Sequence, residues 1–420
     1  MNINFATASF KDFENVPELD AIQRADLFYD FLGYMKDNGH MNYRLLNLSG
    51  CGPEMRVITS ANTSPKKFIS FVCNDYLGFT QHPSVIAAVV KAVKRYGTGA
   101  GASPLIGGHF SYHQDLEEKI AKFFGRSSDS SVIYTTGYTA NSASLQVLLQ
   151  KEDIAIVDMS VHASVYEGCM LTNRKSFLHN DLESLERILK DAAAKYRTKM
   201  VIVDGVYSQD GDIAPLDKIY ALTKQYGGLL MVDDAHGIGV LGNNGRGAME
   251  LLNILEKVDI ITGTFSKTFS NVGGYVVTSP KLATFLKFQS RQHIFSATAG
   301  PASAGIVKAI DLIDEQPLWR NMLASNISYL RNGLVSLGFD IGNTQSAIIP
   351  VKIGDAHKTS NAGKMLLEAG IYANPILYPA VSKKNARIRM SVMATHTREH
   401  LDRTLNAFED LNKAMHIVQK

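Results

Sequence analysis

Two stretches decide how this chain folds: LLMVDDAHG at residues 229–237 and IITGTFSK at residues 260–267. Each is a short apolar run that ends in small, hydroxylic or charged residues. Continuous apolar runs of this length predict strands that are buried on both faces, as in a parallel sheet covered by helices. Such a sheet binds ligands at the carboxyl ends of its strands, which is where Asp233, His236 and Lys267 fall. The sequence therefore predicts an α/β fold with a site at this end of its sheet.

Strand-like and helix-like segments alternate from about residue 68 to residue 290. Beside the two stretches quoted, strand-like runs occur at residues 132–134, 154–157 and 200–203. We therefore predict a mostly parallel central sheet with helices on both faces.

The composition changes after about residue 310, where longer helical patterns begin. Helical patterns at residues 318–337 and 401–418 flank strand-like runs at residues 347–351 and 387–391. A chain of 420 residues is also long for one simple core. We predict an N-terminal helical arm at residues 1–60, a large domain at residues 61–310 and a smaller α+β domain at residues 311–420.

The N-terminal arm is rich in aromatic residues, as in LFYDFLGYM at residues 27–35. This pattern favours packing against the body of the protein or against a partner subunit. Peripheral contact with a membrane surface, or with a lipid-like substrate, is the alternative.

The bulk composition is that of a soluble globular protein, with 45% apolar and 20% charged residues. The net charge of +3 comes without a basic run interleaved with aromatics, which argues against nucleic-acid binding. Cys51, Cys73 and Cys169 lie far apart and indicate a reduced chain with neither a disulfide framework nor a metal cluster. No signal peptide is evident at the N-terminus, and no apolar run approaches the roughly 20 residues that span a bilayer. We expect a cytoplasmic protein.

A lysine, a carboxylate and a histidine at neighbouring strand ends suit pyridoxal 5'-phosphate chemistry. Lys267 is placed to form a Schiff base with the cofactor. Asp233 is placed to keep the pyridine nitrogen protonated, so that the ring acts as an electron sink. The sequence therefore predicts a pyridoxal phosphate enzyme.

Three further strand ends carry polar residues that fit the same site. TTGYTAN at residues 135–141 opens a helix whose N-terminus is able to hold a phosphate, although an ordinary N-cap is the alternative. His162, in DMSVHAS at residues 158–164, is placed to lie on a cofactor ring, whereas an isolated histidine is more often structural. Ser208, in DGVYSQDGD at residues 204–212, is a further donor, unless this stretch is only a turn.

The glycine-rich GTGAG at residues 97–101 invites a dinucleotide-binding interpretation. Residues 85–96, which precede it, have a helical period, whereas that fingerprint follows a strand. A loop that lets the backbone approach a substrate fits better.

Together, and in this order, the motifs resemble the α-oxoamine synthase family of fold-type-I pyridoxal phosphate enzymes. The motifs are NDYLG at 74–78, the glycine loop at 97–101, D-x-x-x-HAS at 158–164, DDAHG at 233–237 and GTFSK at 263–267. The resemblance extends from about residue 74 to residue 397. It implies a homodimer with the site at the subunit interface, and decarboxylative condensation of an amino acid with an acyl thioester.

The resemblance also implies roles for individual side chains. Lys267, His162 and Asp233 would be catalytic, with Lys267 bound covalently to the cofactor and acting as the base. Around the cofactor, His162 would stack on the ring and Asp233 would pair with the pyridine nitrogen. His236 and Ser208 would hold the phenolic oxygen. Gly137, Tyr138 and Thr264 would bind the phosphate, and Ser296 would reach the phosphate of the neighbouring subunit. Arg389 would bind the substrate carboxylate, helped by Asn74 and Tyr76.

Two stretches depart from the family pattern and bear on the substrate. Residues 102–104 read ASP where Gly-Ser-Arg is usual, and residues 377–379 read LYP where many members have Arg-Pro-Pro. Both changes remove a positive charge near the entry of the substrates. RMSVMATHT at residues 389–397 and NP at residues 374–375 resemble bacterial serine palmitoyltransferases.

We therefore predict condensation of serine with a long-chain fatty acyl thioester, carried by coenzyme A or acyl carrier protein, in sphingolipid-type lipid synthesis. Cysteate as the amino acid, for sulfonolipids, is the near alternative. Another reaction of the family, such as that of 8-amino-7-oxononanoate synthase or 2-amino-3-ketobutyrate CoA ligase, also stays open. An aminotransferase of the same fold, or a cofactor-fold protein without catalysis, is less favoured, because the full set of motifs is present.

Overall fold

A computed structural model describes residues 3–59 and 62–418 of the chain. They group into two compact units. The large unit holds Asn74–Ser208 and Asp212–Ala324, and the second unit holds the other described residues, including Gln209–Gly211. The predicted division at residues 60 and 310 stays a prediction.

Short strands occur throughout the described residues. In chain order they are β1 (Leu46–Asn47), β2 (Glu54–Thr59), β3 (Asn62–Ser70), β4 (Ser131–Tyr134), β5 (Ile154–Asp158), β6 (Asn173–Phe177), β7 (Lys199–Asp204), β8 (Leu229–Asp233), β9 (Ile260–Thr264), β10 (Gly274–Val277), β11 (Ile348–Lys352), β12 (Ile371–Tyr372), β13 (Asn374–Ile376) and β14 (Arg387–Ser391).

The helices of the described residues vary more in length. They are α1 (Ala21–Asp37), α2 (Pro83–Tyr96), α3 (Ser111–Phe123), α4 (Gly137–Leu148), α5 (Ala163–Gly168), α6 (Leu182–Ala192), α7 (Leu216–Gln225), α8 (Ala248–Leu251), α9 (Pro280–Gln289), α10 (Arg291–Phe295), α11 (Ala304–Glu315), α12 (Leu318–Ser336), α13 (Ala356–Glu368) and α14 (Arg398–Met415). None is long and apolar enough to cross a membrane.

The large unit is built on a seven-stranded sheet in the order β4-β10-β9-β8-β7-β5-β6. β5, β6, β7, β8 and β9 pair in parallel, and β10 runs antiparallel between β4 and β9. The prediction of a mostly parallel α/β fold is confirmed. The side chains of β5 are all buried, as are those of β8 after its first residue, which is why these strands read as continuous apolar runs.

Two strands of this sheet escaped the sequence analysis. β6 is an edge strand whose first four residues are exposed, and it reads Asn-Arg-Lys-Ser. An edge strand with polar side chains carries no apolar signal. β10 is buried, but it begins with Gly274 and follows Gly273, and glycine is depleted in strands, so its start carries no strand signal.

The parallel pairing brings the ends of four strands into register. Asp204 pairs with Asp233, and Asp233 with Thr262 on β9. β5, which pairs with β7, ends at Asp158. The loops after these strands therefore begin at the same end of the sheet, as expected for a parallel sheet that binds a ligand there.

The second unit contains two smaller sheets, β1-β2-β3-β12 and β11-β14-β13. In its N-terminal part, the aromatic residues of α1 pack on preceding aromatics, so that Phe13 and Phe31 stack with ring centroids 4.8 Å apart. Tyr29, on the same helix, is 78% exposed. Most of the aromatic pattern of the arm is therefore explained by packing within its own unit.

Candidate active site

A cavity of about 230 Å³ lies at the carboxyl ends of β7, β8 and β9 in the large unit. We call it the cofactor cavity. Its lining comes from the strand ends and from the starts of α4 and α5, and comprises Thr136, Gly137, Tyr138, Asn141, His162, Asp204, Val206, Ser208, Asp233, Ala235, His236, Gly263, Thr264, Ser266 and Lys267. Eight of the predicted cofactor residues thus meet in one place.

A hydrogen-bonded chain leads from Lys267 into the protein. Lys267 Nζ lies 2.8 Å from His236 Nε2, and His236 Nδ1 lies 2.6 Å from the hydroxyl of Tyr76. The Tyr76 hydroxyl also lies 3.3 Å from Asn74 Oδ1. Tyr76 and His236 are both buried, so the imidazole is held at both nitrogens and its tautomer is set by these neighbours.

A second chain links Asp233 to His162. Asn141 Nδ2 donates to Asp233 Oδ2 at 2.6 Å and to Ser164 Oγ at 3.0 Å. The Ser164 hydroxyl lies 2.8 Å from His162 Nδ1, and the Ser164 N–H also points to this nitrogen. Since Nδ1 faces donors, the ring proton of a neutral His162 belongs on Nε2.

The electrostatics agree with a neutral His162. Desolvation lowers the pKa of His162; Asp233 opposes this effect and Lys267 adds to it. The ring meets that of Tyr138 edge-on, with centroids 5.8 Å apart. An uncharged imidazole beside Lys267 avoids repulsion between two cations and leaves a ring face for stacking.

The cavity holds a second carboxyl group, Asp204, beside Asp233. Burial raises the pKa of Asp204 well above its usual value, and the nearby Asp233 raises it further. Two buried carboxyl groups this close do not both ionise readily. Asp233 accepts from Asn141 and from the N–H of Ala235, and Asp204 accepts from the N–H of His162.

The other end of the cavity has the features of a phosphate site. Thr136 caps α4 by accepting from the N–H of Thr139. Gly137 and Tyr138 are the first residues of this helix, and their N–H groups have no acceptor within it. A Cβ at Gly137 would lie 2.6 Å from Thr264 Cβ, so glycine lets the start of α4 approach the end of β9. Thr264 and Ser266 bring two hydroxyls 2.6 Å apart.

These residues fit pyridoxal phosphate. One end offers helix N–H groups and hydroxyls, which suit a phosphate. The other end offers a hydrogen-bonded carboxylate, and Lys267 lies beside an imidazole. Asn141 Oδ1 and Asp204 Oδ1 are buried and without a hydrogen-bond partner among the described residues, as expected of groups that face a polar ligand.

Four predicted site residues lie outside the lining of the cofactor cavity. Asn74 and Tyr76 belong to the large unit, and the Tyr76 hydroxyl contacts His236, which lines the cavity. Ser296 follows α10, is exposed, and donates to the carbonyl of Ala297. Arg389 is on β14 of the second unit, where it donates to Ser391 Oγ at 2.9 Å. The roles assigned to them stay predictions.

The structure adds Asn141, Ser164 and Asp204, to which the sequence analysis gave no role. All three stand within motifs that were recognised, at residues 135–141, 158–164 and 204–212. Their partners come from other strand ends, so the signal for them is the parallel register and not the local pattern. Within the described residues, no group of three or more His, Cys, Asp or Glu side chains is arranged to hold a metal ion.

Asp234 is adjacent to Asp233 but does not line the cavity. It is fully buried and accepts from the N–H of Ala248 at 2.7 Å. A Cβ on Gly205, Gly237 or Gly247 would come within 2.3 Å of its carboxyl oxygens. The glycines on both sides of this carboxyl group are therefore required by packing, and Asp234 has a structural position.

The buried carboxyl group of Asp234 should make the stability of the protein depend on pH. Burial raises its pKa from 3.8 to about 8. Between these values the folded state keeps a proton that the unfolded chain releases, so the contribution of Asp234 to stability falls as pH rises. We expect Asp234→Asn, which has no such proton, to gain stability relative to the wild type as pH rises from about 5 to about 8. Urea unfolding at several pH values measures this difference; a constant difference would contradict it.

Comparison with known proteins places the chain in a family. Residues 66–408 match the family model of class I and II aminotransferases. The chain is 40% identical over 356 residues to an 8-amino-7-oxononanoate synthase of Thermoanaerobacter pseudethanolicus, covering 84% of this chain and 90% of that protein. A synthase of the same name from Bacillus subtilis is 37% identical over 86% of this chain and 92% of its own length.

The fold comparison finds a different member of the same family. A serine palmitoyltransferase structure from S. paucimobilis, with a bound pyridoxal phosphate–myriocin adduct, superposes with a TM-score of 0.90 at 30% sequence identity. The match covers 95% of this chain and 100% of that one. Both kinds of enzyme are α-oxoamine synthases, as the sequence motifs predict, and both depend on pyridoxal phosphate.

Proposed function

Because the chain belongs to the α-oxoamine synthases, a family of pyridoxal phosphate-dependent transferases, we propose that it joins serine to a long-chain acyl thioester with loss of carbon dioxide. The observation that carries the proposed reaction class is the meeting of Lys267, His236 and Asp233 in one cavity whose other end suits a phosphate. This set serves amino-acid chemistry at Cα. The likeness of residues 374–375 and 389–397 to bacterial serine palmitoyltransferases supports serine, and the lack of a cation at residues 102–104 supports a fatty acyl donor.

Pyridoxal phosphate bound here supplies an aldehyde for the amino group and a protonated pyridine ring that withdraws electrons from Cα. Asp233 is the proposed partner of the pyridine nitrogen, and Asn141 orients its carboxylate through the 2.6 Å hydrogen bond. His162, uncharged, is the proposed stacking partner of the ring. The start of α4 and the Thr264 hydroxyl would hold the phosphate, and Ser208 and His236 would donate to the phenolic oxygen.

Lys267 is the proposed covalent anchor and, once the amino acid has displaced it, the base that removes the Cα proton. As a free amine it accepts that proton at Nζ, 2.8 Å from His236 Nε2. The contact with His236 would orient this amine, and Tyr76 in turn holds His236 at Nδ1. Arg389 is the proposed partner of the substrate carboxylate, for which a guanidinium has two parallel donors.

The choice of a fatty acyl donor rests on the loop that contains residues 102–104, where the sequence departs from the family pattern. This loop lacks a positive charge and leads into exposed apolar side chains. Residues 102–104 carry no cation, and the turn that follows, Pro104–Gly108, exposes Leu105 and Ile106, the latter by 80%. Apolar side chains at this place suit an alkyl chain. A donor that ends in a carboxylate would instead gain from an arginine there.

A second candidate is 8-amino-7-oxononanoate synthesis, which the 40% identity favours. The carbon skeleton of that product requires alanine as the amino acid and an acyl donor with a carboxylate at its far end. The two candidates therefore differ in both substrates. Within the first candidate, cysteate in place of serine remains the near alternative, because it carries a sulfonate on the carbon that bears the hydroxyl group in serine.

A matched substrate panel tests the proposal. The purified holoenzyme is titrated with serine, cysteate, alanine and glycine while the cofactor absorbance is followed, and each amino acid is then incubated with palmitoyl-CoA or pimeloyl-CoA. We expect serine with palmitoyl-CoA to give a 3-keto amine that mass spectrometry identifies. Product formation confined to alanine with pimeloyl-CoA would overturn the proposed substrates in favour of the second candidate.

We also propose that the protein acts as a homodimer. Ser296 lies on an exposed segment, next to Phe295, which is 78% exposed, and Ile106 of the same unit is also exposed. Large apolar side chains at the surface are typical of contact sites. Light scattering of the purified protein should give twice the mass of the chain, and a monomer at working concentrations would contradict this.

Tyr76→Phe tests the proposed chain from Lys267. The change removes the hydroxyl that fixes His236 Nδ1, and a hydrogen bond of this kind contributes about 1 kcal/mol. We expect kcat to fall about fivefold, with a shifted pH–rate profile and an unchanged KM for the acyl thioester. Tyr134→Phe, at a buried tyrosine outside the cavity lining, is the control. A pH profile identical to that of the wild type would argue that Tyr76 contacts the substrate instead.

A further inference from the structure

One histidine behind the cofactor cavity connects two of the loops that line it. His179 follows β6, and the sequence motifs gave it no role. Its Nδ1 lies 3.1 Å from Asp158 Oδ1, and its Nε2 lies 2.9 Å from Asp212 Oδ2. Asp158 ends β5, four residues before His162, and Asp212 stands four residues after Ser208.

Both ring nitrogens of His179 face carboxylates, so both must donate and the ring is an imidazolium. Burial disfavours this charge, but the hydrogen bonds to Asp158 and Asp212 outweigh burial and raise the pKa of His179 to about 10. Asp158 is fully buried, and the side chains of His179 and Asp212 are 27% and 19% exposed. A charged bridge this sheltered from water holds its geometry better than a surface ion pair.

On one side the bridge fixes the loop that carries His162. The two oxygens of Asp158 accept from the N–H of Ser160 at 2.8 Å and from the N–H of Asn180 at 2.8 Å, as well as from His179. Asp158 therefore turns the chain directly after β5, and the turn leads into the N-cap of α5, which is His162.

On the other side the bridge fixes the base of the loop that carries Ser208. Val206 and Ile213 form a β-bridge, and the N–H of Tyr207 donates to the carbonyl of Asp212 at 3.1 Å. Asn180 Nδ2 adds a second donor to Asp212 Oδ2 at 3.0 Å. The His179 ring also meets the ring of Tyr207 edge-on, with centroids 4.4 Å apart, next to Ser208 in the chain.

We propose that His179 is a positioning residue that clamps the His162 loop to the Ser208 loop, and so sets the spacing of the side chains that hold the cofactor ring. The inference rests on the proposed roles of His162 and Ser208, but it does not depend on which substrates are condensed. Groups that hold the direct ligands of a site in place commonly change affinity by about 10–100-fold when removed.

Two variants of the full-length holoenzyme test the clamp. His179→Phe keeps a ring but no donors, and Asp212→Asn removes one charge at the more exposed end. The measurements are the dissociation constant of pyridoxal phosphate and the visible circular dichroism of the bound cofactor, neither of which requires turnover. We expect His179→Phe to weaken cofactor binding about tenfold or more and to reduce the dichroic band, with a smaller change of the same kind for Asp212→Asn.

The control is His396→Phe in the second unit, a buried histidine that is also bonded at both ring nitrogens, to Met393 N and to the carbonyl of Ser70. Replacing a histidine that has only a structural role should lower thermal stability and leave the affinity and dichroism of the bound cofactor unchanged. If His179→Phe does not fold, Asp212→Asn decides. Wild-type cofactor affinity and dichroism in whichever of the two variants folds, or changes no larger than those of His396→Phe, would overturn the clamp.

Failure of the proposed function would give different results from failure of the clamp. A wild-type protein that binds the cofactor but forms no condensation product would overturn the proposed reaction, and the affinity and dichroism of the clamp variants would still be measurable.

Discussion

Replacing Lys267 by alanine is expected to reduce condensation about 10³-fold or more. The variant loses the covalent anchor and, with it, the amine proposed to remove the Cα proton, a contribution of about 10²–10⁴-fold for general bases. His236 Nε2 lies 2.8 Å from Lys267 Nζ, but no lysine other than Lys267 lines the cavity among the described residues. The remaining residues should still bind the cofactor without a covalent bond.

Two measurements on Lys267→Ala separate these effects. Product formation under single-turnover conditions gives the rate, and borohydride reduction followed by mass spectrometry of peptides shows whether the cofactor is attached. Lys281→Ala, at an exposed lysine of α9, should retain both properties. Undiminished product formation by Lys267→Ala would exclude Lys267 as the base, and attachment of the cofactor to another lysine of the wild type would exclude it as the anchor.

Replacing Asp233 by asparagine has the second largest expected effect, a fall in kcat of about 10²–10³-fold. The amide fills the same space and accepts the hydrogen bond from Asn141, but it carries no charge to stabilise a proton on the pyridine nitrogen. The ring would then withdraw electrons less strongly from Cα. Because the site is buried, solvent does not replace the lost charge.

Asp234→Asn is the matched control, since the same chemical change falls on the next residue, outside the cavity. Its activity near neutral pH should equal that of the wild type, whatever its stability. The absorbance of the bound cofactor should change in Asp233→Asn and stay unchanged in Asp234→Asn. Equal loss of activity in both variants would mean that activity depends on the negative charge in this region and not on contact between Asp233 and the cofactor.

The sequence predicted the sheet because its central strands are buried on both faces and therefore read as apolar runs. β5, β7, β8 and β9 begin within about two residues of the predicted runs. β6 and β10 were missed for physical reasons: the first is a polar edge strand and the second begins with glycine. An apolar run marks buried strands locally, including the short edge strand β4, whereas polar side chains in β6 and a glycine at the start of β10 weaken that signal.

The site divides along the same line. Lys267, Asp233 and His236 stand at the ends of strands that have a clear apolar pattern, so the sequence alone predicts that they meet. Asn141 and His179 could not, because Asn141 binds a carboxylate 92 residues away and His179 binds one 33 residues away. Tyr76 was predicted to bind substrate, and its 2.6 Å contact with His236 across 160 residues supports a role through the histidine instead.

Mass balance of a single reaction tests the central claim most directly. The wild-type holoenzyme is incubated with carboxyl-labelled serine and palmitoyl-CoA, and labelled carbon dioxide, free thiol and organic product are measured together. We predict equal amounts of carbon dioxide and thiol, and an equal amount of a 3-keto amine that has lost the label. A keto acid that retains the label, formed without release of carbon dioxide or thiol, would contradict decarboxylative condensation and identify an aminotransferase.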